Sequence, residues 1–415
     1  MEKITGKVKS QFKFYSFGKD LSVFYIFFLN FISSNQIFFL LIYSIPIYIM
    51  GVKLHDLIIR NKLDFSDLAG TIIAIDAPNI IMGLFNFARK NPDGSPAGLI
   101  LDRTQRPISH LYGLLYRINF YYSKKVFPLF CFDGKVSELK KLITKDQLND
   151  FLFTQRWYES ALRSGNKELA RKIALSKEYL WQNIIQESKQ LLNALGVPYI
   201  DSPASAESQC AQLVRDKIAY YSNSQDFDSL VFGCPHLVQN ISKSLRRKLH
   251  GKWTYQKMIP YKINLKENLH SLGIDQFQLV DIAILMGCDY FPGVRGIGPK
   301  KALKLIKKFH FLEKIIVQEK SNYNFEPLTS DLIAKIRKLF LLPDVLTSYS
   351  KITWNIPNEP LIKFSLCEQH FLNIERVQNN LERLIGNYEK CKAYFISQKD
   401  KPRIIQKTLD QYSLI

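Results

Sequence analysis

After Met50 the chain alternates short apolar, β-branched runs with long amphipathic stretches, the pattern of an α/β protein. Thr71–Ile75 (TIIAI) and Val126–Phe132 (VFPLFCF) are apolar throughout and read as buried strands. Gly196–Ile200 (GVPYI), Ile218–Ser222 and Leu230–Phe232 read as further short strands. Residues 137–195 are mostly polar and rich in Lys, Arg, Gln, Glu and Leu, a segment too long for a simple crossover; it predicts helices projecting from the sheet. Helices are also expected over 275–287, 299–317 and 329–341. From Lys399 the chain is polar and basic and ends in a short apolar motif.

The first fifty residues break this pattern. No charged residue occurs from Leu21 to Val52. A membrane-spanning helix needs roughly 20 apolar residues in a row. Here Ser33-Ser34-Asn35-Gln36 divides the run and Pro46 interrupts its second half. The stretch reads as a membrane anchor or hairpin, as a signal-like segment, as upstream sequence attached by a mis-set start, or as an unusual soluble extension. Met50-Gly51-Val52 supplies an internal start just before the globular pattern begins.

Length and composition narrow the class. The 415 residues leave room for roughly two or three domains or one elaborated core. With 47% hydrophobic and 23% charged residues the chain is globular and not disordered. The 57 Lys and Arg against 37 Asp and Glu give a formal charge of +20. A surplus of that size points to a polyanionic partner, most simply nucleic acid; the alternative is a solvated basic surface without a partner. Residues 1–50 hold five Lys and two acids, so +17 remains without them. The six Cys form no CxxC pair and have no His at zinc-ligand spacing, which argues against a disulfide framework or a zinc site and favours a reducing compartment.

The candidate chemistry is acidic. Asp76 directly follows TIIAI, and Asp133 directly follows VFPLFCF. Glu207 lies in a turn-rich segment after GVPYI, Asp226 and Asp228 follow IAYYS, and Asp289 closes an apolar helix in ILMGCDY. Ligands of open α/β sheets sit beyond the carboxyl ends of the strands. One acid there is an ordinary cap, and six separate caps and surface charges remain the bland reading. Several acids on one sheet edge repel one another unless cations neutralise them. Hard cations such as Mg²⁺ take oxygen ligands, and two of them about 4 Å apart can drive phosphodiester cleavage. The seven His (His55, His110, His236, His250, His270, His310, His370) are dispersed and read as structural, and neither a Walker loop nor a G-x-S-x-G elbow occurs. The turn Gly293-Val294-Arg295-Gly296-Ile297-Gly298-Pro299-Lys300-Lys301 lies between two helices. Its glycines let backbone amides approach a phosphate, and Pro299 can open the next helix, whose N-terminus favours an anion. Lys304, Lys307 and Lys308 add further positive charge.

Residues 50–312, and more loosely to 400, resemble the archaeal-type flap structure-specific endonucleases. The resemblance rests on MGVKLHDLI (50–58), IAIDAPN (73–79), SHLYGLLYR (109–117), FDGK (132–135), LGVPYIDSPASAES (195–208), SQDFDSLVFG (224–233) and ILMGCDYFPGVRGIGPKKALKLI (284–306). It implies a PIN-like 5′-nuclease fold: a mostly parallel sheet flanked by helices, a helical arch over the active site, and a helix-two-turn-helix for duplex DNA. It divides the chain into an extension (1–49), an N-terminal nuclease region (50–157), an internal nuclease region (158–312), a C-terminal helical region (313–400) and a tail (401–415). Asp76, Asp133 and Glu207 match ligands of a first Mg²⁺, and Asp226, Asp228 and Asp289 match ligands of a second. Lys140 matches an arch lysine that approaches the scissile phosphate and joins Asp226 and Asp228 as the catalytic group. Tyr290 matches the aromatic beside the last carboxylate. Gly51, Arg89 and Arg117 are matched to the DNA path, as are Gly296, Gly298, Lys300 and Lys301 of the Gly-rich turn, which resembles the family's phosphate- and K⁺-binding turn. The implied activity is 5′ flap endonuclease and 5′–3′ exonuclease cleavage of DNA in replication and repair, by a monomer. The implied place is the cytoplasm and nucleoid of an archaeon, or the nucleus of a eukaryote. Membrane association would follow only if residues 21–49 are genuine.

Three positions depart from the family's pattern. Ser205 stands where a Glu-x-Glu pair is expected, leaving the first metal with less negative charge. Met82 replaces a stacking aromatic, and Gln147 replaces an arch basic residue, for which Lys141 or Lys145 could substitute. Gln406, Leu409 and Tyr412 in the tail have the Q-x-x-L-x-x-aromatic spacing of peptides that bind the sliding clamp (PCNA), with Ser413 in place of a second aromatic. The three departures keep a second reading open, a DNA- and clamp-binding relative with weak or no catalysis.

Overall fold

The computed structural model describes residues 52–85, 101–104, 106–135, 157–174, 177–241, 245–249, 252–256 and 259–398. Gly51, Arg89, Lys140, Lys141, Lys145, Gln147 and the tail residues Gln406, Leu409 and Tyr412 lie outside them, as do residues 1–50. Among the described residues no helix is long and apolar enough to cross a membrane.

The two most apolar runs become the central strands. Thr71–Asp76 (β2) and Val126–Phe132 (β3) are buried at every position, because strands in the middle of an α/β sheet are covered on both faces. They pair in parallel from Thr71 against Val126 to Asp76 against Cys131. Tyr199–Asp201 (β4) pairs in parallel with β3, and Tyr221–Asn223 (β5) with β2. His236–Gln239 (β6) extends the parallel set from β5, while Tyr261–Asn264 (β9) and Asn61–Lys62 (β1) add antiparallel strands at that edge. Among the described residues the order is β1-β9-β6-β5-β2-β3-β4. Leu245–Leu249 (β7) and Lys252–Gln256 (β8) form a separate antiparallel hairpin.

The helices are Ala77–Phe85 (α1), Ser109–Ser123 (α2), Lys167–Ala174 (α3), Lys177–Ala194 (α4), Ala206–Arg215 (α5), Asp228–Val231 (α6), Leu265–Leu272 (α7), Gln276–Met286 (α8), Pro299–Phe309 (α9), Leu312–Glu319 (α10), Ser330–Leu341 (α11), Glu359–Lys363 (α12) and Ile374–Ser397 (α13). Residues 157–163 are also helical, so the described parts of 137–195 are helices as their composition predicts. Leu230–Phe232 is not a strand: Leu230 and Val231 lie in α6 and Phe232 caps it. An apolar run this short cannot be told from a buried helical turn by periodicity. The expected helix over 299–317 is two helices, broken where His310 takes a φ of 69°. GVPYI is half turn and half strand. Gly196 has a φ of 66°, and a Cβ on it would lie 2.3 Å from the Asn355 carbonyl oxygen, so the strand begins only at Tyr199.

The C-terminal helices are fastened to the sheet through aromatic rings. Trp354 is buried, donates its indole N–H to the Pro128 carbonyl at 2.7 Å, and accepts at its own carbonyl from the Tyr388 hydroxyl at 2.8 Å. The Phe127 ring lies 4.9 Å from Trp354 and 4.5 Å from Phe395. Helices α8, α10 and α11 are joined through a buried ion pair. Arg337 of α11 grips both carboxylate oxygens of the fully buried Asp281 side chain on α8, at 2.7 and 2.8 Å, and reaches Glu313 of α10 at 2.6 Å.

Removing one partner of a buried pair strands the other charge, at a cost of about 3–5 kcal/mol, whereas replacing both with apolar residues is often near neutral. Arg337→Leu should therefore unfold at markedly lower denaturant, and Asp281→Leu/Arg337→Leu should recover most of the loss. Equal stabilities for single and double variants would show that Asp281 is not held by Arg337.

Candidate functional site

Four neighbouring parallel strands, β5-β2-β3-β4, end on one edge of the sheet, and an acidic residue arrives with each. Asp76 is the last residue of β2, and Asp133 is the first after β3. Glu207 lies in the first turn of α5, the helix that follows β4. Asp226 and Asp228 follow β5, and Asp228 opens α6.

Asp76, Asp133, Asp226 and Asp228 each accept a hydrogen bond from a named donor. Asp76 Oδ2 accepts from the Ser224 hydroxyl at 2.7 Å, and its Oδ1 faces the Asn79 amide at 3.4 Å, a cap on α1. Asp133 Oδ1 accepts from the Ala206 amide at 2.8 Å, which brings the first turn of α5, with Glu207, to the end of β3. Gly134 allows this approach. A Cβ on it would stand 1.7 Å from the Ser202 carbonyl oxygen, and its own amide donates to Ala204 at 2.7 Å. Asp226 Oδ2 accepts from Asn79 Nδ2 at 2.7 Å. Asp228 Oδ1 accepts from the Val52 amide at 2.8 Å, so the residue next to Gly51 is at the site. Asp289 sits in the Cys288–Phe291 turn after α8. That turn is closed by Gly287 and Gly293, whose φ values of 106° and 86° and tight backbone contacts exclude a side chain.

The acids also act on one another electrostatically. Burial pushes the Asp76 carboxyl far above the ordinary range. Asp133 and Asp226 push it further, against the Ser224 and Asn79 hydrogen bonds. Burial, then Asp289, pushes Asp226 up to about 6, against the bond from Asn79. Asp228 and Asp289 both help raise the partly buried Cys288 thiol, after desolvation. Asp76, Asp133, Asp226 and Asp289 thus share one field and do not point to unrelated faces.

Whether these residues suit a divalent cation can be judged from donor type and charge. Among the described residues no three acidic, His or Cys groups already form a closed ligand set. The donors are carboxylate oxygens, and the charged neighbours that act most strongly on Asp76 and Asp226 are other carboxylates. A hard cation that keeps several waters and takes only some ligands directly fits such a site. Asp76, Asp133, Glu207, Asp226, Asp228 and Asp289 are the carboxylates that would hold it.

The remaining sequence candidates have defined places. Ser205 is the N-cap of α5, its hydroxyl accepting from the Ser208 amide at 3.2 Å, so its local task is helix initiation. Met82 is exposed on α1. The Arg117 guanidinium donates to the Ile241 carbonyl and acts on the Tyr121 hydroxyl. Tyr290 is partly buried with its ring 5.4 Å from Phe340. Gly298 caps α9, with Pro299 in its first turn. Ala302 and Ile306 turn inward while Lys300, Lys301, Lys304, Lys307 and Lys308 are exposed, giving one basic face. Lys301 also braces the turn, donating to the Gly296 carbonyl at 3.0 Å. Sequence reasoning missed Asn79 and Ser224. The signals available were their spacings, three residues after Asp76 and two before Asp226, and their places at the edges of the matching blocks 73–79 and 224–233.

Because the folded protein raises these carboxyls above their unfolded values, their contribution is full at low pH and is lost as pH rises through about 6 and beyond. In chelator, the melting temperature of the wild type should fall from pH 5 to pH 8 more than that of Asp226→Asn. Parallel curves for the two proteins would contradict this account of the site.

Comparison with known proteins agrees with this geometry. The XPG I-region family model matches residues 196–289, which span β4 to Asp289. The flap endonuclease 1 of Staphylothermus marinus is 40% identical over 347 residues, covering 82% of this chain and 96% of that protein. The solved flap endonuclease-1 from Methanococcus jannaschii superposes with a TM-score of 0.63 at 26% identity, over 82% of this chain and 99% of that one. The catalytic core of Rad2 in complex with DNA substrate shares the fold at a TM-score of 0.54 and 20% identity, over 79% of this chain and 95% of that one. At such identity over nearly the full length of a curated relative, the chain belongs to the flap endonuclease 1 family.

Proposed function

We propose that this protein is a structure-specific 5′ flap endonuclease and 5′–3′ exonuclease that hydrolyses DNA phosphodiester bonds with two Mg²⁺ ions, in replication and repair. The observation that carries the reading is the convergence of Asp76, Asp133, Asp226 and Asp289 at one sheet edge in a chain of charge +20. When bound, the two ions would supply activation of the attacking water and stabilisation of the leaving oxygen.

The chain's own residues do the rest. The carboxylates at the ends of β2, β3 and β5 would hold the cations on a rigid sheet. The amides at Ala206 and Val52 keep Asp133 and Asp228 oriented. The Gly296–Lys301 turn and the exposed lysines of α9 meet a phosphate backbone by charge, without reading bases, so binding falls steeply with salt. The role of Lys140 at the scissile phosphate rests on the family resemblance alone, since the residue lies outside the described ones. Gln406, Leu409 and Tyr412 dock on the sliding clamp, a reading supported by their spacing alone. The Rad2 complex with DNA shows that this fold accommodates a DNA substrate in another protein.

A labelled double-flap substrate with Mg²⁺ tests the assignment. Wild type should release the flap, while Asp228→Asn binds the same DNA and does not cut. If both bind alike and neither cuts, the protein is the DNA- and clamp-binding relative. Ser205→Glu separates two tasks of one position. It should lower the Mg²⁺ concentration for half-maximal cleavage, and loss of the cap should cost about 0.5–2 kcal/mol of stability. An unchanged Mg²⁺ requirement would refute the idea that the serine weakens metal binding.

A further inference from the structure

Asn79 touches both halves of the acidic cluster. It lies in the first turn of α1, three residues beyond Asp76. Its side-chain Nδ2 donates to Asp226 Oδ2 at 2.7 Å, and its backbone amide faces Asp76 Oδ1 at 3.4 Å. Its side-chain Oδ1 accepts from the Gln225 amide at 2.9 Å. That last bond fixes which way the amide points, because only the oxygen can accept, so the NH₂ must face Asp226. Gln225 is in turn tied to β6, its carbonyl accepting from Gln239 Nε2 at 2.8 Å. The Asn79 amide is therefore clamped between the β2–α1 and β5–α6 junctions, and it carries no charge that would compete with a cation.

We propose that Asn79 is a positioning residue of the site: it locks Asp226 to Asp76, so that the two carboxylates are set at their spacing before a divalent cation binds. Two acids at the ends of adjacent strands repel one another, and a donor anchored to both sides opposes their separation. Ser224 assists from the other junction, donating to Asp76 and accepting from the Asp226 amide at 3.2 Å. Groups that hydrogen-bond to metal ligands commonly tune metal affinity by about 10–100-fold. The inference rests on the nuclease reading above.

Asn79→Leu keeps the approximate volume and removes both side-chain bonds; Asn79→Ala is the second variant, should leucine disturb α1. Mg²⁺ binding is measured by calorimetry on the DNA-free full-length protein, and cleavage of the double-flap substrate is measured across Mg²⁺ concentrations. Either variant should bind Mg²⁺ about tenfold more weakly, with the half-maximal Mg²⁺ concentration raised in proportion. Much of kcat should return at saturating Mg²⁺, and flap-DNA affinity in chelator should match wild type. Wild-type Mg²⁺ affinity in both folded variants would overturn the inference while leaving the nuclease assignment intact. Loss of DNA affinity in chelator to the same extent as metal affinity would also overturn it, by showing a general distortion. If wild type itself neither binds Mg²⁺ nor cuts, the nuclease reading fails first, and the two failures are distinguishable.

Discussion

Repulsion among carboxylates gathered on one sheet edge is the constraint around which this protein is built. A parallel sheet cannot avoid the meeting, because every strand delivers its next residue to the same side. The same topology also supplies the means of tolerating it. Helices begin where strands end, and their unpaired amides and positive dipole ends favour negative groups. Asp76 faces an amide of α1, Asp133 takes the first amide of α5, and Asp228 takes the amide of Val52. The acids thus act as caps as well as candidate ligands. The compensation is partial: burial first, and the neighbouring carboxylates after it, keep the Asp76 and Asp226 carboxyls raised.

The polar residues around the cluster are chosen for neutrality. Asn79, Ser224 and Ser205 each satisfy a carboxylate or a backbone amide without adding charge. Positive charge is supplied by the exposed lysines of α9, which can meet a phosphate backbone. The Gly287–Gly293 loop places Asp289 near Asp226 at the end of an apolar helix. A carboxylate cluster in a chain that also carries a basic face suits a substrate that is a polyanion with one bond to be cut.

Much of the site could be read along the chain because strand-ending acids have a local signature. Asp76 and Asp133 stand directly after runs too apolar to be anything but buried, and the glycine-rich turn is visible as composition. Asn79 and Ser224 carry no such mark. An asparagine near a helix start and a serine before an aspartate are ordinary capping residues until the junctions after β2 and β5 are brought side by side. The run Leu230–Phe232 failed for a related reason: an apolar triplet has no period, and only its place after Asp228, capped at Phe232, makes it helical.

What the sequence determined by itself was therefore local: which runs are buried, where helices begin, which acids follow strands, and that the surface is basic. Strand order, the convergence of residues far apart in the chain, and the pairing of Asn79 with Asp226 across 147 positions were decided only by the tertiary structure. The physical reason is that burial and capping act over a few residues, whereas desolvation and charge repulsion depend on neighbours that exist only once the sheet has assembled.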